Sequence, residues 1–157
     1  MLICGIDPGS RVMGFSIIKK EDGSVELLYS ENFKINKKEF IDKTKIILKK
    51  LEDILNNYKI DIVVLEEGYL GKNVYSMDIL SKIRGVVYAF FVMHDISIKT
   101  YSPSKIKKSI TGNGNASKEQ ILKSVSLLLN IKNSITYDEA DAIAIAYTYA
   151  LELRSEI

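Results

Sequence analysis

The sequence predicts one α/β domain, residues 1–157, built on a mixed five-stranded sheet flanked by helices. Three observations lead there. Three strand-like runs come first, separated by turn residues. A helix–strand–helix–strand succession follows, and the chain then closes on helices.

Leu2 to Ile6 is a short apolar run of buried-strand type, ended by Asp7 and the turn Pro8-Gly9. Met13 to Lys19 reads as a second strand. Val25 to Ile35 reads as a third, entered through the hairpin turn "EDGS". In "KKEFIDKTKIILKKLEDILNNYK", Phe40, Ile47, Leu48, Leu51, Ile54, Leu55 and Tyr58 fall at helical spacing, with lysines expected on the opposite face. "IDIVVLEE" is again an apolar strand ending in acid. A helix over about Tyr75–Met93 and a fifth strand, "SIKTYS", complete the sheet region. Ser102-Pro103 is a helix start, since proline is tolerated in the first turn. Ser117 with Gln120 forms a capping box for the next helix. The last helix is expected from about Asp138 to Leu153.

The 46% apolar and 27% charged fractions are those of a folded globular chain. No stretch approaches the roughly 20 apolar residues that span a bilayer. No basic segment precedes the first apolar run, as a signal peptide would require. The single cysteine, Cys4, excludes an internal disulfide, fits a reducing cytoplasm and reads as a core residue. Net charge is only +2, but it is unevenly spread. Between Ile96 and Ser134 stand seven lysines (99, 105, 107, 108, 118, 123 and 132) against one acid, Glu119, whereas Ile135 to Ile157 is acidic. That polarity suits attraction of phosphate backbones beside a carboxylate cluster. A solvated lysine-rich surface accounts for the basic part equally well.

The strand-tip acids carry the chemistry. Asp7 before a Pro-Gly turn fits three uses: an ordinary turn residue, a phosphate-cradling loop, or a ligand for a hard cation. The fourth strand repeats the arrangement with Glu66-Glu67 and then Gly68. Strand residues alternate in direction, so one of the two glutamates shares the side of Asp7, and Ile62, Val64 and Glu66 form one face. In "YDEADAIAIAY", Asp138 and Asp141 are three apart and lie on one helix face. Asp138 and Glu139 also suit a helix N-terminus simply by charge. Asp141 adjoins an otherwise apolar face, where an unpaired carboxylate is costly. Asp7, Glu66, Asp138 and Asp141 thus form one candidate cluster, and close carboxylates call for cations between them. Two Mg²⁺ ions about 3.5–4 Å apart are the standard use of such a set, in phosphodiester hydrolysis. Zinc is poorly served, because the only histidine is His94 and the only thiol Cys4.

"GIDPGSRVMG", "LEEGYLGKN" with "RG" shortly after, "YSPSKIKKSITGNGNASKEQI" and "DEADAIAIA" together resemble the RuvC family of Holliday-junction resolvases, in order and from Leu2 to about Ala150. The resemblance implies an RNase H-like fold and a homodimer that cuts four-way DNA junctions symmetrically with Mg²⁺ or Mn²⁺. It implies catalytic, metal-binding acids at Asp7, Glu66, Asp138 and Asp141. It further implies a junction-reading aromatic at Tyr69, DNA contacts at Lys72, Asn73 and Arg84, and phosphate-contacting lysines at Lys107 and Lys118. A RuvA–RuvB branch-migration complex is the partner such an enzyme implies. Glu67 stands where relatives often carry glutamine, and Tyr69 replaces a frequent phenylalanine. The apolar "VVYAFFV" beside Arg84 and Gly85 fits either a dimer face or the core.

Other functions compete with this one. An RNase H-like nuclease acting on structured RNA shares the acids. A nucleotide-binding ATPase domain shares the first strand but needs a second glycine-rich hairpin and a longer chain. A junction-binding module without cleavage shares the basic surface.

Overall fold

The computed structural model describes residues 1–68 and 74–153. β1 (Leu2–Asp7), β2 (Val12–Glu21) and β3 (Ser24–Lys34) form an antiparallel meander. The β2–β3 turn places Asp22 and Gly23 at positive φ, 42° and 80°, the backbone a tight hairpin demands. α1 (Phe40–Asn57) then leads to β4 (Ile62–Glu66), and α2 (Val74–Met93) to β5 (Ser97–Tyr101). β4 and β5 lie parallel to β1, so the sheet order is β3-β2-β1-β4-β5. α3 (Pro103–Thr111), α4 (Lys118–Leu128) and α5 (Tyr137–Glu152) close the chain. The five-stranded mixed sheet flanked by helices is the architecture that the element order predicted. Among the described residues no helix is long and apolar enough to cross a membrane.

Strand alternation divides the core in two. Cys4, Ile6, Val63 and Leu65 point to the α1–α2 side, where they pack with Ile47, Leu51, Ile83, Val87 and Phe91. Burial there pushes the Cys4 thiol up to about 12, so it stays protonated and behaves as a small apolar filler. Ile3 and Val64 point to the other side, against Ala140, Ile143, Ala144 and Tyr147 of α5 and against α3 and α4. By the same alternation Gly5, Asp7 and Glu66 share that second side.

α5 lies on the sheet through a notch of small residues. A Cβ on Gly5 would stand 2.1 Å from the Ala142 carbonyl oxygen, and one on Gly14 would stand 2.1 Å from that of Asp138. Gly5 pairs with Ser16, and Gly14 with Asp7, across β1 and β2. The Ser16 hydroxyl fills the remaining space and donates to the Ala142 carbonyl at 2.8 Å. The helix backbone therefore sits directly on the strand backbone, a closeness only glycine permits. Its N-terminus is fixed by a second capping box. Thr136 accepts from the Glu139 amide, and the Glu139 carboxylate accepts from Thr136 and from Ser30 of β3, at 2.9 Å each. Glu139 is thus a cap and a clamp to the sheet.

One local expectation is corrected. The lysines of α1 do not all lie on the polar face: Lys43 is buried with Ile47, Leu51 and Ile54. Its ammonium donates to the Ser10 carbonyl at 2.6 Å and the Ile35 carbonyl at 3.0 Å. Two backbone acceptors satisfy what the surrounding apolar side chains cannot, which is why a lysine is tolerated there.

Candidate active site

Because β1 and β4 are adjacent and parallel, both present their C-terminal tips at one edge of the sheet. Asp7 ends β1 and Glu66 ends β4, on the face that α5 covers. The first turns of α5, held down at Gly14, bring Asp141 to the same place. These three carboxylates, Lys107 of α3, Lys118 of α4 and the apolar walls Pro103, Ile106, Ile121 and Ala144 line a cleft of about 250 Å³. Asp138 does not line the cleft. Its backbone lies over Gly14, and its charge still acts on both Asp7 and Asp141. Glu67, one residue beyond Glu66, is exposed.

The electrostatics are those of a crowded acid site. Burial pushes the Asp7 carboxyl up to about 8, reinforced by the charges of Asp141, Glu66 and Asp138 and opposed by Lys118. Burial is also the main cause that raises Glu66, with Asp141 adding to it and Arg84, Lys107 and Lys118 opposing. Asp141 is raised by burial, against the pull of Lys118, whose ammonium lies 3.6 Å from its Oδ2. Ionised carboxylates in partly dry surroundings require compensation by positive charge. Among the described residues, no three acidic, histidine or cysteine side chains enclose a common point tightly enough to hold an ion. The cluster is therefore spread around the cleft and is not a finished cage. Its donor chemistry is all carboxylate oxygen, which suits hard cations such as Mg²⁺ or Mn²⁺ and disfavours zinc. His94 is exposed, and its ring lies 4.3 Å from that of Phe90.

The basic segment sorts into two groups. Lys99 and Lys105 face Glu152 at 3.8 and 3.1 Å, tying β5 and α3 to the end of α5. Lys107 and Lys118 instead rim the acidic cleft. Arg84 of α2 places its Nε 3.6 Å from where a Cβ on Gly68 would stand, so it flanks the exit of β4. Tyr69, Lys72 and Asn73 lie outside the described residues.

The family model "Crossover junction endodeoxyribonuclease RuvC" matches residues 3–149. The chain belongs to the RuvC family. Among its RuvC relatives, the crossover junction endodeoxyribonuclease of Christiangramia forsetii is 38% identical, covering 92% of this chain and 77% of its own length. That of Ehrlichia ruminantium strain Welgevonden is 37% identical over 99% of both chains. The solved Thermus thermophilus RuvC structure is 25% identical and superposes with a TM-score of 0.85, covering 99% of this chain and 97% of that one. T. thermophilus RuvC in complex with a Holliday junction substrate shares the fold with a TM-score of 0.87 at 23% identity, covering 99% and 96%. The sheet and helices described above are accordingly an RNase H-like α/β fold.

Sequence reasoning missed several supports of the site. The Gly5–Gly14–Ser16 notch has no local motif, since it appears only once β1 and β2 are in register. The Thr136–Glu139 box had a signal, T-x-x-E before an apolar helix, and could have been found. The cleft's apolar walls, Ile106, Ile121 and Ala144, follow from helical spacing only when the packing of α3, α4 and α5 is known.

Proposed function

We propose that this chain is a metal-dependent endonuclease that resolves four-way DNA junctions by paired nicks, with Asp7, Glu66, Asp138 and Asp141 as its catalytic carboxylates. One observation carries the proposal. In a chain of a family of crossover junction endodeoxyribonucleases, two strand-tip acids and one from α5 line a single cleft rimmed by Lys107 and Lys118. These carboxylates would hold divalent cations, Mg²⁺ or Mn²⁺ and two per site, which would supply charge neutralisation and activation of a water for attack on phosphorus.

The protein's own residues divide the remaining tasks. Asp7, the most strongly perturbed acid, ends β1 at the centre of the sheet, where its ionised carboxylate would be held by a cation's positive charge. Glu66 faces it from the neighbouring strand, Asp141 joins them from the first turns of α5, and Asp138, outside the cleft lining, adds its charge to Asp7 and Asp141. Lys118, beside Asp141, and Lys107 across the rim offer ammonium groups to a phosphate's non-bridging oxygens. Ile106, Ile121 and Ala144 keep one wall dry, which strengthens these interactions. Arg84 adds positive charge beside Gly68, and the next segment of the sequence, with Tyr69, Lys72 and Asn73, would supply further DNA contacts. That segment's tyrosine would stack on an unpaired base at the crossover, a contact worth about 1–3 kcal/mol.

Two glutamates in sequence make the assignment testable. Glu66→Gln is expected to lower the single-turnover cleavage rate by on the order of 10²-fold or more. Glu67→Gln leaves it near the wild-type rate, because Glu67 faces away from the cleft. The reverse ranking would overturn the choice of Glu66. Substrate class is settled by offering a junction with a branch-migratable core, a linear duplex and a structured RNA. Ligatable, symmetrically placed nicks in the junction alone support the proposal, RNA cleavage would replace it, and tight junction binding without cleavage would favour a binding module.

Paired nicks need two sites, and the outer face of α1 and α2 fits a homodimer contact. Part of the apolar run in α2 is core, since Val87, Phe90 and Phe91 are buried. Val92 and Met93 remain 63% and 81% exposed, beside a groove of about 420 Å³ lined by Leu48, Val86, Ala89 and Phe90. Met93→Glu is therefore expected to shift the light-scattering mass from dimer to monomer. A wild-type mass of one chain would remove the dimer from the proposal.

A further inference from the structure

A second basic surface lies at the cleft's edge of the sheet, outside the lysine-rich segment of the sequence. Arg11 ends the turn that follows Asp7, and Lys34 ends β3 opposite Val12. Lys37 and Lys38 follow before α1. All four are exposed, and among the described residues none makes an ion pair, although Glu39 and Asp42 stand nearby at the start of α1. Lys34 shares its strand face with Ser30, whose hydroxyl meets Glu139 of α5. It therefore stands on the same side of the sheet as Asp7, two strands across and two residues along, roughly 12 Å away.

The two segments bearing these cations are tied together from beneath. The Ile35 amide donates to the Arg11 carbonyl at 2.8 Å. Below that bond, the buried Lys43 ammonium bridges the Ser10 and Ile35 carbonyls. A buried charge with two backbone acceptors is an expensive way to hold a surface loop, and its effect is to pre-order the cations above it. Lys99 and Lys105, in contrast, face Glu152. The acidic cleft thus has Lys107 and Lys118 in its lining, while Lys34 stands at the β3 edge of the sheet with Arg11, Lys37 and Lys38 next to it, none of the four in an ion pair among the described residues. A regularly charged polyanion that crosses the cleft would meet both groups.

We infer that Arg11, Lys34, Lys37 and Lys38 form a second phosphate-backbone contact, which seats duplex DNA on the β3 side of the cleft while Lys107 and Lys118 hold the other. This rests on the endonuclease reading above and adds the path of the duplex. The contact is to phosphates and is independent of base sequence. It contributes to affinity and leaves the reacting groups untouched.

The test is the salt dependence of junction binding, measured in chelator so that no strand is cut. The triple variant Lys34→Ala, Lys37→Ala, Lys38→Ala is compared with wild type and with a control of equal charge loss, Lys49→Ala, Lys59→Ala, Lys132→Ala. Each lost phosphate contact lowers the slope of log K against log salt by about 1, so a fall of about 2–3 is expected in the first variant. The control should keep the wild-type slope. Cleavage by the control should stay near the wild-type rate, because none of its three lysines touches the cleft. Equal slopes in all three proteins would overturn the inference and leave the endonuclease reading standing. A wild type that binds no junction would overturn both.

Discussion

Asp7→Asn is expected to lower junction cleavage by on the order of 10³-fold while making the protein, without divalent cation, more heat-stable at pH 8. The two effects share one cause. Burial and the neighbouring Asp141, Glu66 and Asp138 raise the Asp7 carboxyl from its ordinary 3.8 to about 8. Between those values the folded chain holds a proton that the unfolded chain has released. Stability from this group is therefore fully present below about pH 4 and is lost as pH rises through about 8. Asparagine carries no charge at any of these pH values, so the gap between variant and wild-type melting temperatures should widen from pH 5 to pH 8. A gain of 1 kcal/mol corresponds to about 2–4 °C for a chain of this size. Divalent cation should stabilise the wild type increasingly with pH and the variant much less, since binding competes with the proton. Melting curves at three pH values, with and without Mg²⁺, check this. A variant less stable than wild type at pH 8 would mean that Asp7 is not a strained acid.

The second large effect concerns the helix seat. Gly14→Ala inserts a methyl group 2.1 Å from the Asp138 carbonyl oxygen, so the α5 backbone must move. Overpacking of this kind costs about 1–3 kcal/mol and occasionally more. The displaced helix carries Asp138 and Asp141, whereas Asp7 and Glu66 stay in the sheet. A shift of about 1 Å between reacting groups can cost 10²-fold in rate. Cleavage should therefore fall by about that factor at temperatures where the variant is still folded, with junction binding retained. Gly85→Ala is the contrast: its Cβ meets nothing within 4 Å, and relief of helix entropy should stabilise by up to about 1 kcal/mol. Equal melting temperatures for Gly14→Ala and wild type would show that α5 does not depend on the notch.

These two residues also mark where the sequence is transparent and where it is not. Asp7 and Glu66 are legible because apolar runs that end in acid announce buried strands with charged tips; alternation admits only one of Glu66 and Glu67, and Glu66 is the one nearer the strand body, on the face of Ile62 and Val64. Asp138 and Asp141 are legible through their spacing on a helix. The order of elements follows from hydrophobic period and turn chemistry, which local residues determine. Gly14 and Gly5 are silent because their meaning lies in the partner across the sheet, set by the register of β1 on β2 and by a helix near the other end of the sequence. Lys43 misleads for a related reason. Its side chain follows the apolar face of α1, and the two carbonyls that make this tolerable come from the turn after β1 and from the residue that follows β3. The edge of Arg11, Lys34, Lys37 and Lys38 stays hidden in the same way, since strand pairing assembles it.

The most direct measurement is cleavage of an end-labelled four-way junction by the wild-type protein, with linear duplex as control, in Mg²⁺, in Mn²⁺ and in chelator. Paired, symmetric nicks are expected in the junction alone, in either metal and never in chelator. Cleavage that persists in chelator, or that treats duplex and junction alike, would contradict that expectation.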